Sequence, residues 1–511
     1  METTISTVGQ IYKNKYAPEK TAIIFNDEKI SFCQLDDKVR AFANFLRAKG
    51  VKRGDRVILD TYNSPEFIYI YLGTVRNAAI IVPVNPMLTL SELSYIANDS
   101  ESKFLIIRED VLTKQGYTAQ WLSEQLGLTV LTLNDALTAE VMAAGREDFD
   151  FVPDSQDIST FLYTSGTTGY PKAAMLSHSN LVANTWQTSI ALETVTDDIF
   201  MCVLPMFHVF AYTVAILLPL FYGATVVIVE AFQPKAVMDS LLEHDVTVFL
   251  GVPAMYMMFI EAEGAEGAEC AEGAEKGHIA FPKLRIAISG GAPLPLDIYF
   301  KAEEVTHLPI IEGYGLTEAS PASAFNPPSG IHKPGSIGPA LVEIDAIISD
   351  DNDIELPIGE VGELLLRGPN VMKGYYHKIE DTETALKHGW LHTGDLAKMD
   401  EDRYIYIVDR KKDMIIVSGM NVYPREIEEV LYGHPKVRDV AVVGEDDRLR
   451  GESAVAFIVL KEGEQAHHKE ILRWLRERLA VYKLPRRIEF VDELPRNSAG
   501  KILKRVLKGQ L

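Results

Sequence analysis

Residues 163–178, YTSGTTGYPKAAMLSH, place small and hydroxylated side chains where a polyanion could approach the backbone. Gly166 and Gly169 add no bulk, at a cost in conformational order. Thr164, Ser165, Thr167 and Thr168 offer hydroxyls and amides to phosphate oxygens, and Lys172 adds a cation. Phe161, Leu162 and Tyr163 read as the strand that feeds the loop. Runs of Ser, Thr and Gly commonly serve as linkers. A linker, however, needs neither the apolar strand, nor the lysine, nor a helix-like continuation after Pro171. The glycine spacing before Gly-Lys that marks a P-loop is absent. The residues imply a nucleotide site that is not that of a P-loop NTPase.

Four further motifs follow in order: GYGLTE at 313–318, TGD at 393–395, DRKKDMIIVSGMNVYPREIE at 409–428 and PRNSAGKILKR at 495–505. Together with the loop they span most of the chain. They resemble the adenylate-forming superfamily of acyl-CoA synthetases, aryl-CoA ligases, luciferases and peptide-synthetase adenylation domains, and most of all bacterial medium- and long-chain fatty acyl-CoA synthetases. The chemistry implied is two-step. A carboxylate attacks the α-phosphate of ATP, giving an acyl-adenylate and pyrophosphate, and the thiol of coenzyme A then displaces AMP. Gathering three anionic partners calls for fixed positive charge and a metal.

The resemblance implies roles residue by residue. Glu318 would hold Mg2+, with Thr317 and Thr164 as hydroxyl contacts to phosphate. Asp395 would accept from the ribose hydroxyls, with Arg410 as their second partner. Gly290, Gly291 and Ala292, with Gly313 and Tyr314, would form the adenine slot. Lys501 would join the carboxylate and the α-phosphate during adenylation, with Lys172 as a further cation of the catalytic set. Lys412 would be the hinge, and Ser418 and Gly419 would line the CoA tunnel after rotation. Ile416 stands where some members carry a lysine used in the second step, so no such side chain is assigned. LPMFHVFAY, 204–212, resembles the acyl-pocket wall, with His208 near the carboxylate and Tyr212 as gate. A histidine or tyrosine in an apolar run serves equally as core.

These residues must be positioned by a large body. A chain of 511 residues, 47% of them apolar, is too long for one core and fits two or three domains. Apolar β-branched runs at 57–59, 79–84, 104–107, 225–229, 247–250 and 284–289 alternate with helical patterns at 33–48 and 90–98. That pattern predicts parallel sheets covered by helices. After about residue 320 the texture turns to short strands broken by Gly and Pro, and the last hundred residues return to α+β with an amphipathic helix at 468–481. The expected fold is α/β: an N-terminal adenylating domain, 1–411, of two α/β subdomains plus a β-rich subdomain at about 321–408, then a small mobile α+β domain, 412–511.

Composition excludes other classes. The net charge of −22 opposes nonspecific nucleic-acid binding. Residues 412–511 carry 19 Lys and Arg against 16 Asp and Glu, a net of +3, leaving −25 for the rest. This asymmetry suits an anionic ligand at the seam, and ordinary composition drift explains it as readily. Cys33, Cys202 and Cys270 are scattered, suggesting neither disulfides nor zinc, and with no signal peptide the reading is cytoplasmic. The apolar stretch 201–229 is interrupted by Pro205, Pro219 and a turn at Tyr222-Gly223, so it reads as strand, loop, buried helix and strand. Residues 264–275, rich in Gly-Ala-Glu, read as a surface insert without catalytic role.

The substrates expected are therefore a fatty acid, ATP with Mg2+, and CoA. An aryl- or dicarboxyl-CoA ligase, a ligase loading an acyl carrier protein, and a non-catalytic adenylate-binding scaffold are the alternatives. Peripheral membrane contact and a homodimer stay open.

Overall fold

The computed structural model describes residues 5–15, 17–147, 152–164, 170–264, 281–306, 309–497 and 500–510. Two large sheets dominate the N-terminal part. The six-stranded sheet runs Thr129–Leu133, Phe104–Arg108, Arg56–Asp60, Ile80–Val84, Ile158–Thr164, Lys172–Ser177 across its width. The eight-stranded sheet runs Ala322–Phe325, Ile310–Gly315, Ile286–Ser289, Val248–Gly251, Ile199–Cys202, Thr225–Ile228, Thr21–Phe25, Glu28–Ser31. Neighbours are parallel except at the edges, where Lys172–Ser177, Ala322–Phe325 and Glu28–Ser31 run antiparallel to their partners. The inner strands are unbroken apolar runs because helices cover both faces. Phe32–Ala48 and Pro65–Arg76 pack so closely that a Cβ on Gly73 would sit 3.0 Å from Phe42 Cβ. The first of these begins at a capping box between Ser31 and Gln34.

The predicted helices at 33–48 and 90–98 appear as Phe32–Ala48 and Leu90–Asp99. Stretch 201–229 resolves into the strand ending at Cys202, a turn, a buried π-helix Ala211–Leu217 continuing as Leu218–Tyr222, and the strand Thr225–Ile228. Gly223, at φ +74°, ends the helix in the left-handed conformation. Among the described residues, no helix is long and apolar enough to cross a membrane.

Two expectations change. After Pro171 the chain first forms the strand Lys172–Ser177, and only then the helix His178–Ala191. The run AAMLS therefore pairs with Phe161–Thr164 rather than turning helically, because the strand ladder satisfies its backbone while burying Ala173, Ala174 and Leu176. The helix expected over 468–481 stops at Arg476 and a 3₁₀ turn, Val481–Lys483, follows. Most of the Gly-Ala-Glu insert, and Cys270 within it, lie outside the described residues.

Beyond the large sheets, Asp345–Ser349, Gly362–Arg367, Leu386–Lys387, Trp390–Met399 and Ile405–Arg410 form a small antiparallel sheet. The last hundred residues build their own sheet from Ile415–Val417, Met420–Val422, Val437–Asp447, Gly451–Leu460 and Arg487–Phe490. Its core of Ile427, Leu431, Val440, Ile471 and Ile488 is separate from the main one. This gives a large N-terminal domain and a small C-terminal one.

Candidate active site

The carboxyl ends of strands from both large sheets open onto one crevice, the usual place for a ligand in open α/β sheets. Ile158–Thr164 delivers Thr164, and Ile286–Ser289 runs into Gly290 and Gly291. Ile310–Gly315 carries Gly313 and Tyr314, and Ile199–Cys202 leads into Leu204–Phe210. The cavity has a volume of about 870 Å³, enough for a nucleotide and part of a second ligand. Gly313 is obligatory: a Cβ there would lie 2.1 Å from Phe325 Cε1. Gly291 sits at φ +78°, where a side chain is strained.

Two tyrosines aim two carboxylates. Tyr314 donates its hydroxyl to Asp395 Oδ2 at 2.6 Å, while Arg410 Nε stands 3.3 Å from Asp395 Oδ1. Asp395 and Arg410 face each other because Trp390–Met399 and Ile405–Arg410 pair in antiparallel register. Tyr375 donates to Glu318 Oε1 at 2.7 Å. Lys172 is nearly buried, ion-paired with Asp381 and 5.5 Å from the centre of the Tyr375 ring. Behind Asp395, Glu363 accepts from the Gly394 amide at 3.0 Å and from Lys411 Nζ at 3.1 Å.

Lys501 comes from the small domain. Its loop closes on itself: Asn497 N donates to Lys501 O and Lys501 N to Asn497 Oδ1, both at 2.9 Å. Gly500, at φ +78°, turns the loop, and a Cβ there would meet Val252 at 3.4 Å. The ammonium thus enters the cavity beside Arg410, Lys412 and Asp395. Burial, and then the charge of Arg410, pushes it down to about 8. His208 Nδ1 accepts from Phe210 N at 3.4 Å. Burial and the charge of Lys501 push this imidazole down to about 4, so it is neutral near pH 7, with Nε2 as its donor.

The structure gathers Thr164, Lys172, His208, Gly291, Gly313, Tyr314, Thr317, Glu318, Asp395, Arg410, Lys412 and Lys501 around this cavity. Ser165, Gly166, Thr167, Thr168 and Gly169 lie outside the described residues. Ala292 does not line the cavity. Ser418 and Gly419 form an exposed turn of the small domain, away from it in this orientation. Tyr212 also departs from its expected place. It follows His208 by one helical turn, its amide bonded to His208 O at 3.0 Å, yet it is buried against Tyr71, ring centroids 3.8 Å apart, and does not reach the cavity. The apolar wall is made instead by Leu204, Phe207, Phe210 and Val252.

Asp381, Tyr375 and Glu363 line the site without any motif in the sequence that marks them. Asp381 stands in the acidic stretch IEDTETA, which reads as a solvated face, and Tyr375 in GYY is one aromatic among many. Only the fold shows that they face Lys172 and Glu318.

As a metal site, Glu318 supplies one carboxylate, and among the described residues no three His, Cys, Asp or Glu side chains converge to cage an ion. That donor set fits Mg2+, which keeps waters and phosphate oxygens around one or two carboxylates.

The AMP-binding enzyme family model matches residues 12–376, and the AMP-binding enzyme C-terminal domain matches 426–501. The chain is 35% identical to a long-chain-fatty-acid–CoA ligase of Bacillus subtilis (strain 168), over 96% of this chain and 91% of that protein. It is also 35% identical to a feruloyl-CoA synthase of Amycolatopsis, over 97% and 96% respectively. Among solved structures, ATP-bound MatB from Rhodopseudomonas palustris superposes with a TM-score of 0.91 at 32% identity, covering 99% of this chain and 98% of that one.

Proposed function

The chain belongs to the AMP-binding enzyme family, and from that membership we propose that it is an AMP-forming acyl-CoA synthetase acting on medium- to long-chain fatty acids. The observation that carries this reading is the convergence of Lys501, Asp395 with Arg410, and Glu318 on a cavity whose other wall is apolar. ATP would bind with its ribose hydroxyls on Asp395 and its adenine in the slot between Gly291 and Tyr314. Its phosphates would lie toward Thr164, Thr317 and Lys172. Mg2+ at Glu318 would neutralise phosphate charge.

Lys501 would hold the carboxylate against the α-phosphorus. The carboxylate oxygen bonds to phosphorus, the bond to the β-phosphate bridging oxygen breaks, and pyrophosphate leaves. In the second step the CoA sulfur attacks the acyl carbonyl, AMP departs with the electron pair, and the thiol proton is lost to solvent. His208, neutral and donating from Nε2, suits a hydrogen bond to the substrate carboxylate, a role that needs no proton transfer.

The acyl chain would lie along Leu204, Phe207, Phe210 and Val252, where each buried methylene contributes about 0.8 kcal/mol. The similarity to a long-chain-fatty-acid–CoA ligase supports a fatty acid. A second reading, an aryl acid, is favoured by the equal identity to a feruloyl-CoA synthase and by the two phenylalanines in the wall. The deciding experiment is CoA-dependent AMP formation from saturated acids of graded length, benzoate, cinnamate, ferulate and malonate. Preference for a C8 to C18 acid supports the proposal. Preference for an aryl acid or malonate replaces it, and no turnover of any acid leaves an adenylate-binding scaffold.

A further inference from the structure

The small domain touches the large one at a second place, well separated in sequence from the Lys501 loop. Its helix Pro424–Tyr432 begins with no side-chain cap from its own residues: Tyr423, the residue before it, supplies none. The free amide of Arg425 donates instead to Asp409 Oδ2 at 2.9 Å. Asp409 is the penultimate residue of the strand that ends at Arg410, so a carboxylate of the large domain caps a helix of the small one. The Arg425 guanidinium continues across the seam, Nη1 donating to Ile407 O at 2.6 Å.

The rest of the seam is acidic. Glu429 lies 3.7 Å from Arg425 Nε and accepts from the Leu296 amide of the large domain at 3.3 Å. Glu312, on the strand leading to Gly313 and Tyr314, is buried facing Arg425 and accepts from Gly335 N at 2.8 Å. Lys504 pairs with Glu428 at 2.7 Å and faces Asp409. Four carboxylates thus meet two cations in a partly buried junction. Arg425 bonds the backbone of the large domain while facing acids of both. Without it the buried Glu312 and Asp409, and the half-buried Glu429, would be left with too little positive charge, a costly arrangement that separation of the domains would relieve.

A chain connection at Lys412 restricts where the small domain is but leaves its rotation free. We propose that Arg425 and Asp409 form the latch that fixes this rotation, holding the small domain where Lys501 enters the cavity. The latch is a positioning device for the adenylation half-reaction, and it rests on the two-step reaction proposed above. Opening it returns the Arg425 amide and guanidinium to water and frees the small domain to turn away.

The test uses Arg425→Ala, Arg425→Lys and Asp409→Ala in the full chain. Pyrophosphate release from ATP and the preferred acid is measured in a single turnover, and thioester formation is measured separately from synthetic acyl-adenylate and CoA. The reaction of Lys501 with acetic anhydride is followed by peptide mass spectrometry, with Lys235, whose side chain is 85% exposed, as internal standard. Loss of the latch should lower adenylation by about 100-fold while thioester formation stays within about threefold. Lys501 acetylation at pH 8 relative to Lys235 should fall several-fold, because an ammonium released to water regains its ordinary value of 10.5 and stays protonated there, with Arg425→Lys intermediate because an ammonium lacks the guanidinium fork. Equal losses in both half-reactions, or unchanged Lys501 acetylation, overturn the latch. If Arg425→Ala fails to fold, Asp409→Ala and Arg425→Lys decide by the same measurements. Failure of the wild type to adenylate any acid would instead sink the underlying function, a result separate from these.

Discussion

Tyr375 and Glu318 are 57 residues apart, and the Tyr375 hydroxyl donates to Glu318 Oε1 at 2.7 Å. The bond fixes one oxygen of the carboxylate expected to face the metal, and Lys172 stands over the same ring. Tyr375→Phe removes the donor and keeps the ring. It should weaken apparent Mg2+ affinity by about 1 kcal/mol, roughly fivefold, with little change in folding stability. Mg2+ titration of pyrophosphate release checks this, and an unchanged midpoint removes Tyr375 from the site.

Lys501 sets an upper pH limit on adenylation. Burial and Arg410 lower it from 10.5 to about 8, so in the free enzyme its charge is lost as pH rises through about 8. The value of kcat/KM for the acid should fall across that range, while thioester formation from acyl-adenylate should not. Lys501→Ala should abolish the pH step and cost roughly 3 kcal/mol or more in adenylation alone. For stability the sign is opposite: the unfolded chain holds this proton up to 10.5, so the term improves as pH rises from about 8 to 10.5.

Glu312 should make the domain seam acid-favoured. Burial is the main cause that raises its carboxyl from 4.5 to about 7, with Arg425 opposing. The folded protein then holds a proton that the unfolded chain has released, and the stability this contributes is lost as pH rises through about 7. Glu312→Gln keeps an oxygen for the Gly335 amide and should add up to about 3 kcal/mol at pH 8, and far less at pH 5. Denaturant midpoints at the two pH values measure it.

Tyr212→Ala should behave as a core deletion. Stacked on Tyr71 and away from the cavity, the ring should cost about 3 to 5 kcal/mol of stability when removed, with the chain-length preference of the folded fraction unchanged. Phe207→Ala or Phe210→Ala, in the cavity wall, should change that preference. A changed profile with Tyr212→Ala would restore it as a gate.

Lys412→Pro tests the hinge. Proline fixes φ near −65°, so the substitution should trap one domain orientation, leaving adenylation and suppressing thioester formation. Wild-type rates in both steps would place the pivot elsewhere.

Features written in local periodicity and in contiguous motifs were legible before any fold was known. Unbroken β-branched runs gave the parallel strands of the two large sheets, and the interruptions in 201–229 gave strand, turn, helix and strand. The motifs TGD, YGLTE and NSAGK marked Asp395, Glu318 and Lys501 only through their resemblance to the adenylate-forming superfamily. Tertiary structure decided whatever depends on which faces meet. A ladder with 158–164 turned AAMLS into a strand, since pairing satisfies its backbone while burying Ala173, Ala174 and Leu176. The direction of the Tyr212 side chain followed from Tyr71, 141 positions away in the chain. Asp381 and Tyr375 became parts of the site, and Arg425 and Asp409 a bridge between domains. Contacts between residues so far apart leave no periodic trace in the chain, because side-chain patterns record burial and not the identity of the neighbour.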